Sequence, residues 1–211
     1  MAGYHLHSAV RNTKSLRRKH AGRTPRSTTL IVCEGETEEI YFTIVHSHYK
    51  LSTVVIAPAS TESAPIQVVQ HAKEQNDKDG GYDKIFCVFD RDDHASFDQA
   101  LEEIDNLSSR KTKPIPIVGI ISVPCFEVWL LLHFKKTDAP FERCSDVINR
   151  LNTHIDYEKA CPRAFSKLMA RLKEALNNAA WLEKNAALNG RNPFTLIHKV
   201  LHHLQSAAAS S

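Results

Sequence analysis

Two apolar runs in this chain end in acid, and the acids are of the kind that bind hard cations. Residues 30–33, Leu-Ile-Val-Cys, lead into Glu34 and Gly35, and residues 85–89, Ile-Phe-Cys-Val-Phe, lead into Asp90, Arg91, Asp92 and Asp93. If both runs are neighbouring strands of a parallel sheet, Glu34, Asp90 and Asp92 converge at its carboxyl edge, where a cation is needed to balance them. Asp90 and Asp92 are two apart, so an extended or turning segment lets both carboxylates reach one face. Oxygen ligands of this type suit Mg²⁺ or Mn²⁺, and the lack of paired Cys and His at these positions argues against zinc.

Further acids and bases cluster around these motifs. Glu127 lies in residues 126–132, which are apolar nearly all round. A buried acid there must be paired or metal-bound, so Glu127 belongs at or beside the metal site, or else in a structural pair with an arginine or a helix N-terminus. Glu38, four residues after Glu34, either faces the site or answers the dipole of the helix it opens. His94 is placed either on phosphate or a metal-bound water, or in a solvent-facing turn. His198, His202 and His203 invite a metal reading because positions 198 and 202 share a helix face, but with no third ligand evident they read as polar-face histidines near a helix C-terminus. Lys167, Arg171 and Lys173 are either a phosphate-tracking face or a solvated one.

The elements that must position these residues alternate strand and helix. Strands are expected at residues 28–33, 53–57, 84–89 and 115–121, the last at an edge because of Pro114 and Pro116. Helices are expected from Glu36, from Pro65 and over residues 96–107, which argues for a parallel sheet with right-handed crossovers. A spatial order 2-1-3-4 would make Glu34 and Asp90 neighbours across the crevice where connections leave in opposite directions. From Pro124 onward the pattern turns helical, over residues 126–134, 147–151, 165–181 and 193–204.

At 211 residues and 42% hydrophobic content, the chain lies within the range of one compact α/β unit. The net charge of +3 argues neither for nor against a nucleic-acid partner. Its distribution says more, because residues 1–27 carry Arg11, Lys14, Arg17, Arg18, Lys19, Arg23 and Arg26 and no Asp or Glu. Such an arm can neutralise phosphates or simply be solvated. The five cysteines, Cys33, Cys87, Cys125, Cys144 and Cys161, contain no CxxC pair and read as buried hydrophobes of a reducing cytosol, without a disulfide frame or zinc site. With no apolar run long enough to span a bilayer and no signal-type N-terminus, a soluble cytoplasmic protein without membrane association is expected.

LIVCEGETEEIYF (residues 30–42) and FDRDD (residues 89–93) resemble the Glu-Gly and Asp-x-Asp motifs of a Toprim domain, the fold shared by topoisomerases, primases and certain nucleases. SVPCFEVWLLLHF (residues 122–134) and NPFTLIHKVLHHL (residues 192–204) are similar to the RloB-like family of prokaryotic defence-associated proteins. The segment after Glu36 is one residue shorter than a Glu-Lys-Thr-Glu version of the family pattern, and Val123 replaces the expected Asn. The resemblance implies an α/β fold, a Toprim-like Rossmannoid parallel sheet of about four strands flanked by helices, with a helical C-terminal extension. The expected division is a basic arm at 1–27, an α/β core at 28–123 and helices at 124–205 packing on it.

The implied function is metal-dependent phosphodiester hydrolysis in antiviral defence; RNA, with tRNA as one candidate, is favoured over DNA because a chain this small shows no duplex-clamping domain. Glu34, Asp90 and Asp92 are the expected catalytic and metal residues and Glu127 a further ligand, with Glu38, Arg91, His94, Arg17, Arg18 and Lys19 on the substrate side. A partner ATPase or sensor is expected to control a toxic activity, and self-association is compatible. The alternative is a non-catalytic Toprim-like module that binds nucleic acid or a partner, its acids serving a structural metal.

Overall fold

The computed structural model describes residues 27–59, 64–91, 95–186 and 191–209. Four parallel strands, β1 (Thr29–Cys33), β2 (Val54–Pro58), β3 (Lys84–Asp90) and β4 (Ile117–Val123), are joined by a short antiparallel β5 (Phe194–Thr195). The order across the sheet is β2-β1-β3-β4-β5, which contains the expected 2-1-3-4 arrangement.

Strand alternation sorts the side chains into two cores. Ile31 and Cys33 of β1 and Phe86 and Val88 of β3 face one layer, while Leu30 and Val32, with Ile85, Cys87 and Phe89, face the other. On the second face lie α2 (Pro65–Lys78) and α3 (Phe97–Ser108), through Val68, Val69, Ala72, Ala100 and Leu107. The first face carries α1 (Glu36–Tyr49) together with α4 (Glu127–Leu131), α5 (Cys144–Leu151), α6 (Pro162–Leu168), α7 (Leu172–Asn185) and α8 (Ile197–Ala209). The C-terminal helices thus share a core with the sheet. Fully buried Tyr41, Phe126 and Phe165 knit this layer, with Tyr41 5.5 Å edge-on to Phe126 and 5.9 Å edge-on to Phe165. Each such pair adds about 0.5–1.5 kcal/mol beyond its burial.

Four expectations need correction. The fourth strand is not a free edge: Pro114 and Pro116 precede it, and β5 pairs with its last residues, Ser122 and Val123. Pro193 does not open a helix, because residues 194–195 form β5 and α8 begins at Ile197. The helix expected over 165–181 is two helices divided by a 3-10 turn at Met169–Arg171, where Arg171 Nε donates to the His133 carbonyl at 2.7 Å. The cysteines are not all unpaired, since Cys125 and Cys144 form a disulfide with Cα atoms 5.6 Å apart. Cys33, Cys87 and Cys161 are free, the first two buried as expected.

Candidate metal centre

The strand order sets the site. The β1 connection leads to β2 on one side and the β3 connection to β4 on the other, so the crevice between β1 and β3 opens at their carboxyl ends. Cys33 pairs with Val88 in parallel register, which carries Glu34 alongside the end of β3. The Glu34 backbone N–H donates to Val88 O at 3.0 Å, and its carboxylate Oε2 accepts the Asp90 backbone N–H at 2.8 Å. The two acids that closed the apolar runs are therefore adjacent.

The helix after Glu34 brings a third acid inward. Gly35 caps α1 in an extended conformation, and a Cβ there would lie 3.0 Å from Glu38 Oε2. A side chain at this position would press on the Glu38 carboxylate and shift it, whereas the extended backbone itself carries no strain. Glu38 is 6% exposed. Burial raises its carboxyl to about 7; its own backbone N–H opposes that shift, and the charges of Glu127 and Glu34 add to it. The dipole reading of Glu38 is incomplete, because the side chain turns into the acid cluster.

Asp90 behaves likewise. The residue is half-buried, and its carboxyl is held well above the usual range, first by desolvation and then by Glu38 and Glu127, with Glu34 adding and the Phe126 backbone N–H opposing. Glu127, 2% exposed, comes from the segment after β4. Its Oε1 accepts the Tyr157 hydroxyl at 3.0 Å and lies 3.8 Å from Lys159 Nζ, on a largely exposed side chain. Its Oε2 lies 3.2 Å from Cys144 Sγ. A disulfide sulfur carries no proton, so this is a close approach and not a hydrogen bond. In place of the expected arginine, Glu127 has a tyrosine and an exposed lysine as partners, and it also stands in the first turn of α4, a helix N-terminus.

Glu34, Glu38, Asp90 and Glu127 therefore form a group in which burial and neighbouring acids raise the carboxyls of Glu38 and Asp90. Hard oxygen donors in this state fit a divalent cation, which would be held by Glu34 and Asp90 with Glu38 and Glu127 behind them. Among the described residues a second donor set is present, because Cys125 Sγ, Cys144 Sγ and a Glu127 oxygen all lie within 4.8 Å of one another and could hold a metal.

Of the remaining expected site residues, Arg91 alone lies among the described residues. Arg91 is exposed at the rim, with its guanidinium 5.7 Å from the Phe97 ring centre. Asp92, His94, Arg17, Arg18 and Lys19 lie outside the described residues. Arg171 is committed to His133 O and to Glu174, at 2.8 Å, which removes it from a phosphate-tracking face. His198 is buried against Glu183 at 3.0 Å and His203 Nε2 meets Thr29 Oγ1 at 2.8 Å, so both have structural partners. Tyr157 and Lys159 were not anticipated. They lie in an irregular segment between α5 and α6 whose sequence carries no periodicity that could point them at the crevice.

The RloB-like protein family matches residues 29–204, from β1 to near the end of α8. The chain belongs to the RloB-like family. No curated protein and no solved structure matches it significantly. The family match spans all four carboxylates and both cysteines of the second donor set. Among the described residues of this RloB-like chain, no helix is long and apolar enough to cross a membrane.

Proposed function

We propose that this RloB-like chain is a Mg²⁺- or Mn²⁺-dependent Toprim-type endonuclease of prokaryotic antiviral defence, acting on RNA, including tRNA, in preference to DNA. The observation that carries the reading is the crowding of Glu34, Glu38, Asp90 and Glu127 at the β1/β3 crevice, where burial and neighbouring acids raise the carboxyls of Asp90 and Glu38 above the usual carboxylate range.

Glu34 and Asp90, with Asp92, are the ligands of the cation, and Glu127 borders them. The bound cation would neutralise charge on phosphate oxygens and acidify a water. Glu38, with its carboxyl near 7, is suited to take up or return a proton at neutral pH, while Glu34 is positioned to act as general acid/base or ligand. Arg91 at the rim and the basic arm with Arg17, Arg18 and Lys19 meet the phosphate backbone. A partner ATPase or sensor restrains the activity.

The test incubates the purified chain with total tRNA, single-stranded RNA and duplex DNA, with and without Mg²⁺ or Mn²⁺. Metal-dependent cleavage, lost in Asp90→Ala and strongest on RNA, is the expected result. Metal-dependent binding without cleavage of any of the three would favour a non-catalytic nucleic-acid module and overturn the nuclease reading.

A further inference from the structure

Hard-cation chemistry leaves the two sulfurs beside Glu127 unused. Cys125 follows β4 and is 2% exposed, whereas Cys144 is half-buried as the first residue of α5. The two are 19 residues apart in sequence, and their disulfide places both sulfurs against the Glu127 carboxylate. That carboxylate is already divided. Oε1 takes the Tyr157 hydroxyl, and Oε2 is turned towards Cys144 Sγ.

We propose that reduction of the Cys125–Cys144 disulfide opens a three-ligand site, made of two thiolates and Glu127 Oε2, for a thiophilic divalent cation such as Zn²⁺, and that reoxidation closes it. The site shares Glu127 with the acid cluster but does not depend on that cluster being catalytic.

The donor chemistry selects the ion. A disulfide sulfur is a poor ligand, whereas a thiolate binds Zn²⁺ strongly and Mg²⁺ hardly at all. Zn–S bonds of about 2.3 Å in a tetrahedral site put two sulfurs about 3.8 Å apart. The three donor atoms already lie within 4.8 Å of one another, so side-chain rotation after reduction suffices. Cys144 at the N-terminus of the eight-residue α5 gains stabilisation of its thiolate from the helix amides. The Tyr157 hydroxyl fixes the carboxylate from behind, as partners of metal ligands do. Two sulfurs and one oxygen leave a fourth position for water.

The redox step balances with an external dithiol. One of its thiolates attacks the more exposed Cys144 sulfur, the S–S bond breaks, and Cys125 leaves as the thiolate and takes up a proton. The second thiol of the reductant then displaces Cys144, which leaves as a thiol, and the reductant departs as its own disulfide. Two electrons and two protons have passed to the protein, and the arriving cation releases both protons.

The test titrates Co²⁺ alone into the full chain, reduced with a phosphine and desalted without oxygen. It reads thiolate-to-cobalt charge-transfer absorption in the near ultraviolet. The expected result is a band that saturates at a single Co²⁺ per chain, is bleached by Zn²⁺ but not by excess Mg²⁺, is absent from the oxidised protein, and is lost in Cys144→Ser. Asp90→Asn should keep the band at full amplitude, which separates this site from the nuclease reading. No band in the reduced chain, or a band that survives Cys144→Ser, would overturn the proposal. Should Cys144→Ser fail to fold, the wild-type chain answers through alkylation followed by mass spectrometry. Zn²⁺ should slow iodoacetamide labelling of Cys144 at least tenfold, and unchanged labelling counts against the site.

Discussion

The carboxyl edge of the sheet and the α7–α8 seam both place acid near groups that invite a metal reading, four carboxylates at the edge and Glu183 beside His198 at the seam, yet the charges are handled in opposite ways. At the seam, Glu183 takes Lys199 Nζ at 2.6 Å on one oxygen and His198 Nε2 at 3.0 Å on the other. Burial pushes the Glu183 carboxyl up, but the bonds from Lys199 and His198 outweigh it and the group lies below its ordinary value. At the sheet edge, burial and neighbouring acids push Glu38 and Asp90 up, with exposed Lys159 as the weak basic counterweight. A charge balanced by its own protein needs nothing further, whereas buried acids that repel one another stay ionised only when a cation arrives. The distinction between structure and site therefore lies in the balance of charge and not in the residue types present.

The largest effect that can break this contrast is on chemistry. Asp90→Asn should lower metal-dependent cleavage by roughly 10²- to 10⁴-fold, while His202→Ala should leave it within about twofold, as measured in initial-rate assays on RNA. The same Asp90→Asn protein, stripped of metal, should melt at a higher temperature than its parent above pH 7, because a group whose ionisation burial and three acids oppose has been made neutral. A lower melting temperature would show the Asp90 carboxylate to be compensated after all.

Next comes the pH dependence of stability, where two buried groups pull in opposite directions. Glu38 has its folded pKa raised from 4.5 to about 7, so its contribution is fully present below pH 4.5 and is lost as pH rises through 7. His133 is lowered from 6.5 to about 4, mainly by burial, although bonds involving the Trp129 and Leu130 backbone oppose the shift. Its contribution is present above pH 6.5 and is lost as pH falls through 4. Shifts of this size correspond to about 3 kcal/mol each. Urea midpoints of the chelator-treated protein should therefore fall on both sides of a maximum near pH 5–6. Glu38→Gln should flatten the alkaline limb alone and His133→Phe the acid limb alone.

Much of the sheet edge was legible in the sequence, because its determinants are local. Short apolar runs announce β1 and β3, the residues that end them are Glu34 and Asp90, and alternation with helices yields the order that makes them neighbours. What could not be read depends on distant partners. The Phe194–Thr195 strand is two residues long and follows a proline, so the apolar stripe of α8 absorbed it into a helix. The 3-10 turn at Met169–Arg171 leaves the apolar periodicity of α6 and α7 intact, so the pattern reads as one helix across it. Cys125 and Cys144 meet only because the segment after β4 folds back over the start of α5, a proximity that spacing does not encode. Tyr157 reaches Glu127 from an irregular segment for the same reason.

Tyr157 sharpens the contrast on a smaller scale. Its hydroxyl is pushed up by burial and by the Glu127 charge, and it donates a hydrogen bond to Glu127 Oε1 from a buried side chain. Tyr157→Phe should cost about 1.5–3 kcal/mol in urea unfolding at neutral pH, the range for hydrogen bonds to charged groups. Added Mg²⁺, or Zn²⁺ once the Cys125–Cys144 disulfide has been reduced, should recover part of that loss, because a cation replaces the missing donor. No recovery with either ion would place Glu127 outside both metal sites.

The seam supplies the smallest effect and the control for all the others. Glu183→Gln keeps the shape of the side chain while removing its charge, so Lys199 loses an exposed ion pair and His198 keeps a hydrogen-bonding neighbour. Lys199 is about half exposed and Glu183 about one-third, so solvent screens most of their attraction. Exposed pairs of this kind are worth about 0.2–1 kcal/mol, and the variant should unfold within that range of its parent. Its stability should be indifferent to Mg²⁺ and its cleavage rate unchanged. A Glu183→Gln protein that lost metal dependence would mean that the seam, despite its paired charges, communicates with the crevice through α8 and β4, and charge balance would no longer suffice to tell the two regions apart.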